Sequence, residues 1–202
     1  MLEEKNYYRV RAFPNHIDRF SDFIENNYIA IGWPEIGDIT TNSKQDISDK
    51  LAKYYPNLNK QALGLTTGFF TRLLSMKPKD IILIPYNNEI VVIAEVTAPY
   101  SYNSEFEGSH TAHRVSIKQI KTLSVKDLPS NLKKSVGTIA TVVSLNKYGT
   151  ELDQLISNEY MSIQKNPGLV FIAKDLEKHI ILQISDEITE QDLRDFISKI
   201  KL

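Results

Sequence analysis

The sequence contains no cysteine, only four histidines and a single tryptophan, Trp33. Without cysteine, neither a disulfide framework nor a zinc ribbon can form, and four histidines leave little scope for a metal site built from protein side chains alone. No apolar run approaches the roughly 20 residues of a membrane-spanning helix, and the acidic start MLEEK does not fit a secretory signal. We therefore expect a soluble, cytoplasmic protein with no metal, no cofactor and no membrane contact.

An excess of positive charge is also missing. The chain has 24 lysines and arginines against 25 acidic residues, a net charge of −1. A sequence-blind nucleic-acid binder normally carries a large positive excess, so any contact with nucleic acid has to be local. The segment 113–134 nevertheless holds six basic residues and one acid, whereas 151–202 holds ten acids and six bases. The basic stripe is either a local binding surface or an ordinary solvated face.

Hydrophobic periodicity predicts an α+β protein. The apolar runs 81–85 and 90–97 are continuous and predict central strands, joined by a hairpin turn at Asn87 and Asn88. The other predicted strands are 7–13, 28–33, 112–123, 138–145, 169–173 and 179–184, and the predicted helices begin near 14, 43, 59, 128, 146 and 189. A loop is expected at 97–111. We assign 1–150 to a barrel domain and 151–202 to a small β-β-α appendage, with a break at Pro167 and Gly168.

The sequence contains parts of catalytic motifs, but no motif is complete. Asp80 and Glu95 have the spacing of a PD-(D/E)xK nuclease, but Thr97 stands where that site needs a lysine. His110 and His113 lie at a loop-to-strand junction, where alternating side chains diverge and cannot pair around a metal. No Walker loop, nucleophile elbow or dinucleotide fingerprint occurs. We expect no enzymatic activity, with Asp80 acting as a turn residue.

Four pieces of sequence occur in an order that resembles a known superfamily. They are Ile29-Ala30-Ile31-Gly32-Trp33-Pro34, then Phe69-Phe70 leading to Met76-Lys77-Pro78-Lys79-Asp80, then Glu95-Val96, and last Pro99-Tyr100-Ser101-Tyr102 followed by His113-Arg114-Val115. Over residues 5–150 the chain is similar to the PUA-like/EVE-like β-barrels of modification-dependent restriction proteins, which are related to YTH readers. It departs from their pattern at Lys79, usually glycine, and at Ile117, where a tryptophan is expected.

The resemblance implies a β-barrel flanked by helices that binds a flipped, modified base, most simply a methylated one, in an aromatic cage. By position it implies a base pocket of Trp33, Tyr100 and Tyr102. It implies contacts to backbone phosphates from His113, Arg114, Lys118, Lys121, Lys133 and Lys134. DNA is favoured over RNA, and a nuclease or ATPase partner would then act on the marked site in a restriction or defence system.

Physical reasoning supports such a pocket independently. A base taken out of its stack costs a few kcal/mol, and stacking on aromatic side chains returns about 1–3 kcal/mol per base. Trp33 follows Gly32, which permits a close backbone approach. Tyr100 and Tyr102 alternate with small polar residues in the predicted loop. The competing interpretation places Trp33 in the hydrophobic core.

Two other functions stay open. One is a protein-interaction or regulatory subunit whose barrel has lost its ligand pocket, and the other is an RNA reader of the same fold. The acidic appendage is expected to dock a partner or a second copy of the chain, so a homodimer is also open. A cavity of nucleobase size beside Trp33 is the feature that separates these hypotheses.

Overall fold

The computed structural model describes residues 5–157 and the backbone of 170–174 and 179–183. It divides into two compact units, Met1–Leu152 and Asp153–Leu202. In the second unit, Val170–Lys174 and His179–Gln183 pair as an antiparallel hairpin, close to the strands predicted there. The break predicted at Pro167 and Gly168 and the helix predicted from 189 lie outside the described residues.

The first unit is built on one mixed sheet. Its strands are Tyr7–Val10 (β1), Tyr28–Ile31 (β2), Ile81–Tyr86 (β3), Ile90–Tyr102 (β4), His113–Ser124 (β5) and Val142–Ser144 (β6), in the order β2-β5-β4-β3-β1-β6. The helices are Phe20–Glu25 (α1), Lys44–Tyr54 (α2), Lys60–Ser75 (α3), Ser130–Val136 (α4) and Gly149–Ser157 (α5). Only β1 and β3 are parallel among these neighbours. The fold-class prediction, α+β with a barrel-like sheet flanked by helices, is confirmed.

The sheet is buried on both faces along β3 and the first half of β4, which explains why these central strands form unbroken apolar runs in the sequence. Ile82 and Ile84 point into the main core, together with Phe23, Phe70 and Leu73 of the helices. The alternate residues Ile81 and Leu83 are equally buried but belong to the opposite face. There Gly149 lies against Tyr7, so close that an added Cβ would come 2.8 Å from the Tyr7 ring.

Local signals placed several elements correctly. Ser43 and Asp46 form the expected capping box at the start of α2, and the Asn59 side chain caps α3. Asp80 is fully buried, and its carboxylate accepts hydrogen bonds from the backbone N–H of Asn6 (2.8 Å) and of Lys77 (3.1 Å). It therefore ties the chain before β1 to the turn before β3, as the interpretation of a structural residue requires.

Three element predictions are wrong. Pro14–His16 is an irregular 3₁₀ turn and α1 begins only at Phe20, because Asn15 and His16 both have positive φ. The predicted loop at 97–111 is too long, because β-bulges let β4 continue to Tyr102. The strand predicted over 138–145 shrinks to β6. Ile120, considered as an inward residue, is exposed.

Segment 138–140 is irregular because two arginines hold its backbone. Arg9 is completely buried, and its guanidinium donates to the carbonyl oxygens of Thr138 and Ala140. Burial lowers the pKa of Arg9 to about 10, with a smaller contribution from Arg11. Arg11, two residues along β1, donates to the intervening carbonyl of Ile139 (3.5 Å). Three consecutive carbonyls are thus occupied by arginines and not by a strand partner.

We predict that Arg9→Met lowers the free energy of unfolding by about 2 kcal/mol, because buried carbonyls lose their donor while most of the side-chain volume is kept. Urea unfolding measures this. Arg11→Met is the matched control, since Arg11 is exposed and should change stability by less than about 0.5 kcal/mol. Equal effects of the two substitutions would contradict the role given to Arg9.

Candidate functional site

A cavity of about 380 Å³ opens beside Trp33. This volume lies within the range of about 300–1,000 Å³ that is typical of small-ligand pockets. Its lining comes from the turn after β1, from the end of β2 and from three later segments: Arg11, Phe13, Pro14, Asn15, His16, Gly32, Trp33, Glu35, Tyr55, His110, Ile139 and Thr141. The space that the sequence analysis expected beside the indole is therefore present.

Backbone strain concentrates at this cavity. Asn15, His16, Trp33 and His110 all have φ between 48° and 64°, and all four line it. Positive φ is uncommon outside glycine, and for a bulky residue such as tryptophan it is a real outlier. Such strain persists only where the surrounding structure enforces it, which is most often at ligand sites. One enforcing contact is visible across the cavity, where Asn15 Nδ2 lies 2.9 Å from His110 Nε2.

A buried imidazole holds Trp33 in place. His113 Nε2 lies 3.2 Å from the Trp33 carbonyl oxygen, and His113 Nδ1 lies 2.9 Å from the Tyr100 hydroxyl. A carbonyl only accepts, so Nε2–H donates to Trp33 and Nδ1 accepts from Tyr100. The indole itself is half-buried and packs on Phe69 and Phe70, with ring centroids 6.3 Å and 6.0 Å away. The same side chain lines the cavity.

His113 has to be neutral to make both bonds. Burial lowers its pKa to about 4, while the Trp33 carbonyl and the nearby carboxylates of Asp38 and Glu107 act in the opposite direction and Lys50 adds to the lowering. The burial of His113 therefore argues against the phosphate contact predicted for it. A fully buried ring whose two nitrogens are already bonded has no donor left for a phosphate on the surface.

Tyr100 and Tyr102 lie on β4, and neither lines the cavity beside Trp33. Tyr100 is buried, and burial raises the pKa of its hydroxyl above the ordinary value. The Tyr102 hydroxyl donates to the Glu107 carboxylate, and burial together with this bond raises its pKa to about 12. Tyr100 thus supports Trp33 through His113, and the Tyr102 ring packs on the His113 ring with centroids 5.1 Å apart. The predicted three-residue cage is not assembled around this cavity.

Arg114 is held between two aromatic rings. Its guanidinium carbon lies 4.0 Å from the ring centroid of Tyr28 and 3.4 Å from that of Phe106. It also donates to the backbone and side-chain oxygens of Thr111. These two hydrogen bonds use two of its five N–H donors, and the phosphate contact predicted for Arg114 stays a prediction.

The four lysines predicted to hold phosphates are spread over two elements. Lys118 and Lys121 lie on β5, where Lys118 is exposed opposite Glu95. Lys133 and Lys134 lie in the last turn of α4, and the Lys133 ammonium donates to the backbone carbonyl of Lys126. None of the four lines the cavity beside Trp33, and their phosphate contacts stay a prediction.

The cavity contains functional candidates that the sequence reading missed. The Tyr55 hydroxyl is buried on its wall and has no hydrogen-bond partner among the described residues. An unpaired buried hydroxyl costs about 1–3 kcal/mol, so a bound ligand that accepts from it would recover that energy. Asn15, His16 and His110 add polar groups around it. For Asn15 and His16 the sequence signal was the Pro14-Asn15-His16 stretch, which is equally typical of the start of a helix. His110 was considered only as one half of a metal pair.

The described residues contain no group of three or more histidine, aspartate or glutamate side chains suited to a metal ion. Within the same residues no helix is long and apolar enough to cross a membrane. What the cavity offers is an aromatic wall, a free hydroxyl and an amide. Groups of these kinds suit a planar polar ligand.

We predict that stability falls as the pH is lowered from 6.5 towards 4. The folded state depresses the pKa of His113, so its contribution is complete above the unfolded value of 6.5 and is lost as the pH falls to about 4. The loss should approach about 3 kcal/mol. Urea unfolding at several pH values measures it, and His113→Gln should flatten the dependence whereas the exposed control His16→Gln should not. An unchanged slope in His113→Gln would contradict this assignment.

Comparison with known proteins gives low-identity structural matches and one family. The chain is 14% identical to the YTH domain-containing protein mmi1 in its complex with RNA, over 81% of this chain and 88% of that one, with a TM-score of 0.40. It is 16% identical to protein Atu2648 from Agrobacterium tumefaciens, over 75% and 93%, with a TM-score of 0.37. No curated protein matches. A family model described as a domain of unknown function, DUF8426, matches residues 11–146, and the chain belongs to that family.

Proposed function

We propose that this chain binds nucleic acid by taking one flipped, modified base into the cavity beside Trp33, without cutting the strand itself. The observation that carries the proposal is the cavity of about 380 Å³, which is lined by the only tryptophan of the sequence and by Tyr55, whose buried hydroxyl has no partner among the described residues. Such a site fits a planar ligand that stacks on one face and hydrogen-bonds at its edge. A nucleobase is the ligand of that shape that a base-flipping protein extrudes.

The energetics favour an aromatic wall that is fixed before binding. A flipped base gives up a few kcal/mol of stacking and pairing, and one aromatic stack returns about 1–3 kcal/mol. Trp33 cannot swing away, because its carbonyl is bonded to His113 and its ring packs on Phe69 and Phe70. A preorganised ring costs no ordering entropy when the base arrives.

The remaining polar groups supply the edge recognition that stacking lacks. Asn15 has both an amide donor and a carbonyl acceptor, Tyr55 has a hydroxyl, and Glu35 has a carboxylate that accepts from an exocyclic amino group. A site whose buried donors are satisfied only by the correct ligand discriminates strongly against ligands that leave them unpaired. This is how the cavity would separate a modified base from its unmodified parent.

DNA is the favoured substrate, on the sequence resemblance to the binding domains of restriction proteins. A reader without a nuclease of its own then works with a nuclease or ATPase partner. RNA is the alternative substrate for the same pocket. Because the cavity would hold one base in either case, the two are separated by measuring both backbones with the same base.

We predict that a single-stranded oligonucleotide carrying a methylated base quenches Trp33 fluorescence at about tenfold lower concentration than its unmodified counterpart, since about 1.4 kcal/mol of edge and stacking energy separates them. DNA and RNA versions are titrated at low salt. Trp33→Asn removes the ring and still tolerates the positive φ, so this variant should lose the discrimination when binding is followed by anisotropy.

Equal quenching by modified and unmodified strands would remove modification from the proposal. If no nucleic acid binds at low salt, the reader function is wrong and the alternative of a protein-interaction subunit takes its place.

We also predict opposite effects of Tyr55→Phe on stability and on binding. Loss of an unpaired buried hydroxyl should leave the free energy of unfolding unchanged or raise it, while affinity for the modified strand falls about tenfold because the ligand loses its donor. Tyr54→Phe is the matched control, because Tyr54 is the exposed neighbour and does not line the cavity. A variant that loses stability and keeps its affinity would show that Tyr55 is only structural.

A further inference from the structure

A second cavity of about 340 Å³ adjoins the first. The two cavities share three lining residues, Arg11, Phe13 and Ile139, and the side chains of Phe13 and Ile139 form a ridge between them. The far walls of the second cavity are Asp18, Phe20, the end of β3 and the turn after it, and the segment 136–138 that follows α4. A chain that passes from one cavity to the next therefore crosses this ridge.

The ridge is apolar and exposed. Ile139 is 87% exposed and Phe13 is 37% exposed. A single exposed aliphatic residue is ordinary on a protein surface and needs no explanation. Here, however, the most exposed of the large apolar residues described stands between two cavities, beside an aromatic ring that also lines both.

Two arginines hold the backbone of the ridge through hydrogen bonds to its carbonyl oxygens. Arg9 binds the carbonyls on both sides of Ile139, and Arg11 binds the Ile139 carbonyl itself. With all three carbonyls held on the side of the arginines, the Ile139 side chain projects into solvent. Arg11 also lies over the Phe13 ring, with its guanidinium carbon 4.8 Å from the ring centroid. Burying a guanidinium is costly, so a fully buried arginine committed to presenting an exposed isoleucine calls for a function.

The second cavity has the features of a base-binding surface. Phe20 and Tyr86 stack on its wall with ring centroids 4.3 Å apart and planes 23° from parallel. Asn87 and Asn88 bring two side-chain amides to its rim, at a turn where both residues have positive φ. Amides and aromatic rings are the groups with which proteins hold unstacked bases.

Resting on the proposed function, we propose that the ridge of Ile139 and Phe13 is a wedge that separates two successive nucleotides of a bound single strand. The modified base occupies the cavity beside Trp33, and its neighbour occupies the second cavity. Apolar side chains inserted between base steps unstack them in this way in other nucleic-acid binders. The substrate class is therefore a dinucleotide step within a single strand, and the chain reads sequence context as well as modification.

The experiment uses the full chain and short single strands with the modified base at the centre. One strand is intact, and two others lack the base on the 5′ or the 3′ side of it. Affinity is measured by anisotropy for the wild type, for Ile139→Ala and for Leu65→Ala. Leu65 is the matched control, since it is also an exposed aliphatic residue but lies on α3 outside both cavities.

For the wild type, removal of the neighbouring base on one side should weaken binding about tenfold, the loss of one stacked base. Ile139→Ala should weaken binding of the intact strand by a similar factor. Its affinity for the strand that lacks the neighbouring base should equal that of the wild type, because that strand has no stacked pair of bases for Ile139 to separate. Leu65→Ala should change neither affinity. This dependence of one substitution on one base is not expected from a general loss of stability.

The wedge is overturned if Ile139→Ala stays within twofold of the wild type on every strand, or if neither base-free position weakens binding. In either case selective quenching of Trp33 by the modified strand would leave the base-reader function standing. If no strand binds the wild type, the reader function and the wedge are both wrong.

Discussion

The neutral imidazole of His113, at the start of β5, holds the candidate site together. His113 begins β5, accepts from Tyr100 on β4, and donates to the carbonyl of Trp33, which follows β2. These three strands are neighbours in the sheet, so one ring connects all of them at the point where the cavity opens. If the ring were charged, Nδ1 could no longer accept, and a cation would lie in a site without water.

The cavity depends on backbone strain that the His113 hydrogen bonds and the exposed Asn15–His110 contact enforce. Trp33 and three further residues on its walls adopt positive φ, a conformation that costs energy at each position. Arg9 likewise holds an irregular segment in place, since it hydrogen-bonds to the carbonyls of Thr138 and Ala140 just before β6. In both places a side chain, His113 or Arg9, bonds to backbone carbonyls that lie outside the strands of the sheet. The site therefore lies where regular secondary structure is interrupted.

Structural features that depend on neighbouring residues could be predicted from the sequence. The capping box at Ser43, the hairpin turn at Asn87 and the apolar runs of β3 and β4 are of this kind, and all three are found. Features that depend on distant residues could not be predicted. The helix expected from Pro14 is broken because Asn15 takes part in a contact with His110, 95 positions away. Tyr100 and Tyr102 were expected in a loop, but their strand continues through β-bulges that no local pattern reveals.

The sequence by itself determined the fold class and the buried strands, because periodicity and residue type carry that information, and it singled out Trp33 as a candidate. Only the tertiary structure decided which groups surround Trp33. The cavity is lined by residues from separate segments, among them Asn15, Tyr55, His110 and Ile139. His113, for which a phosphate contact was predicted, instead hydrogen-bonds to the Trp33 carbonyl. The physical reason is that burial and hydrogen-bond partners are properties of the packed chain. A histidine in the sequence can be a surface cation or a buried neutral ring, and the difference is made by what folds over it.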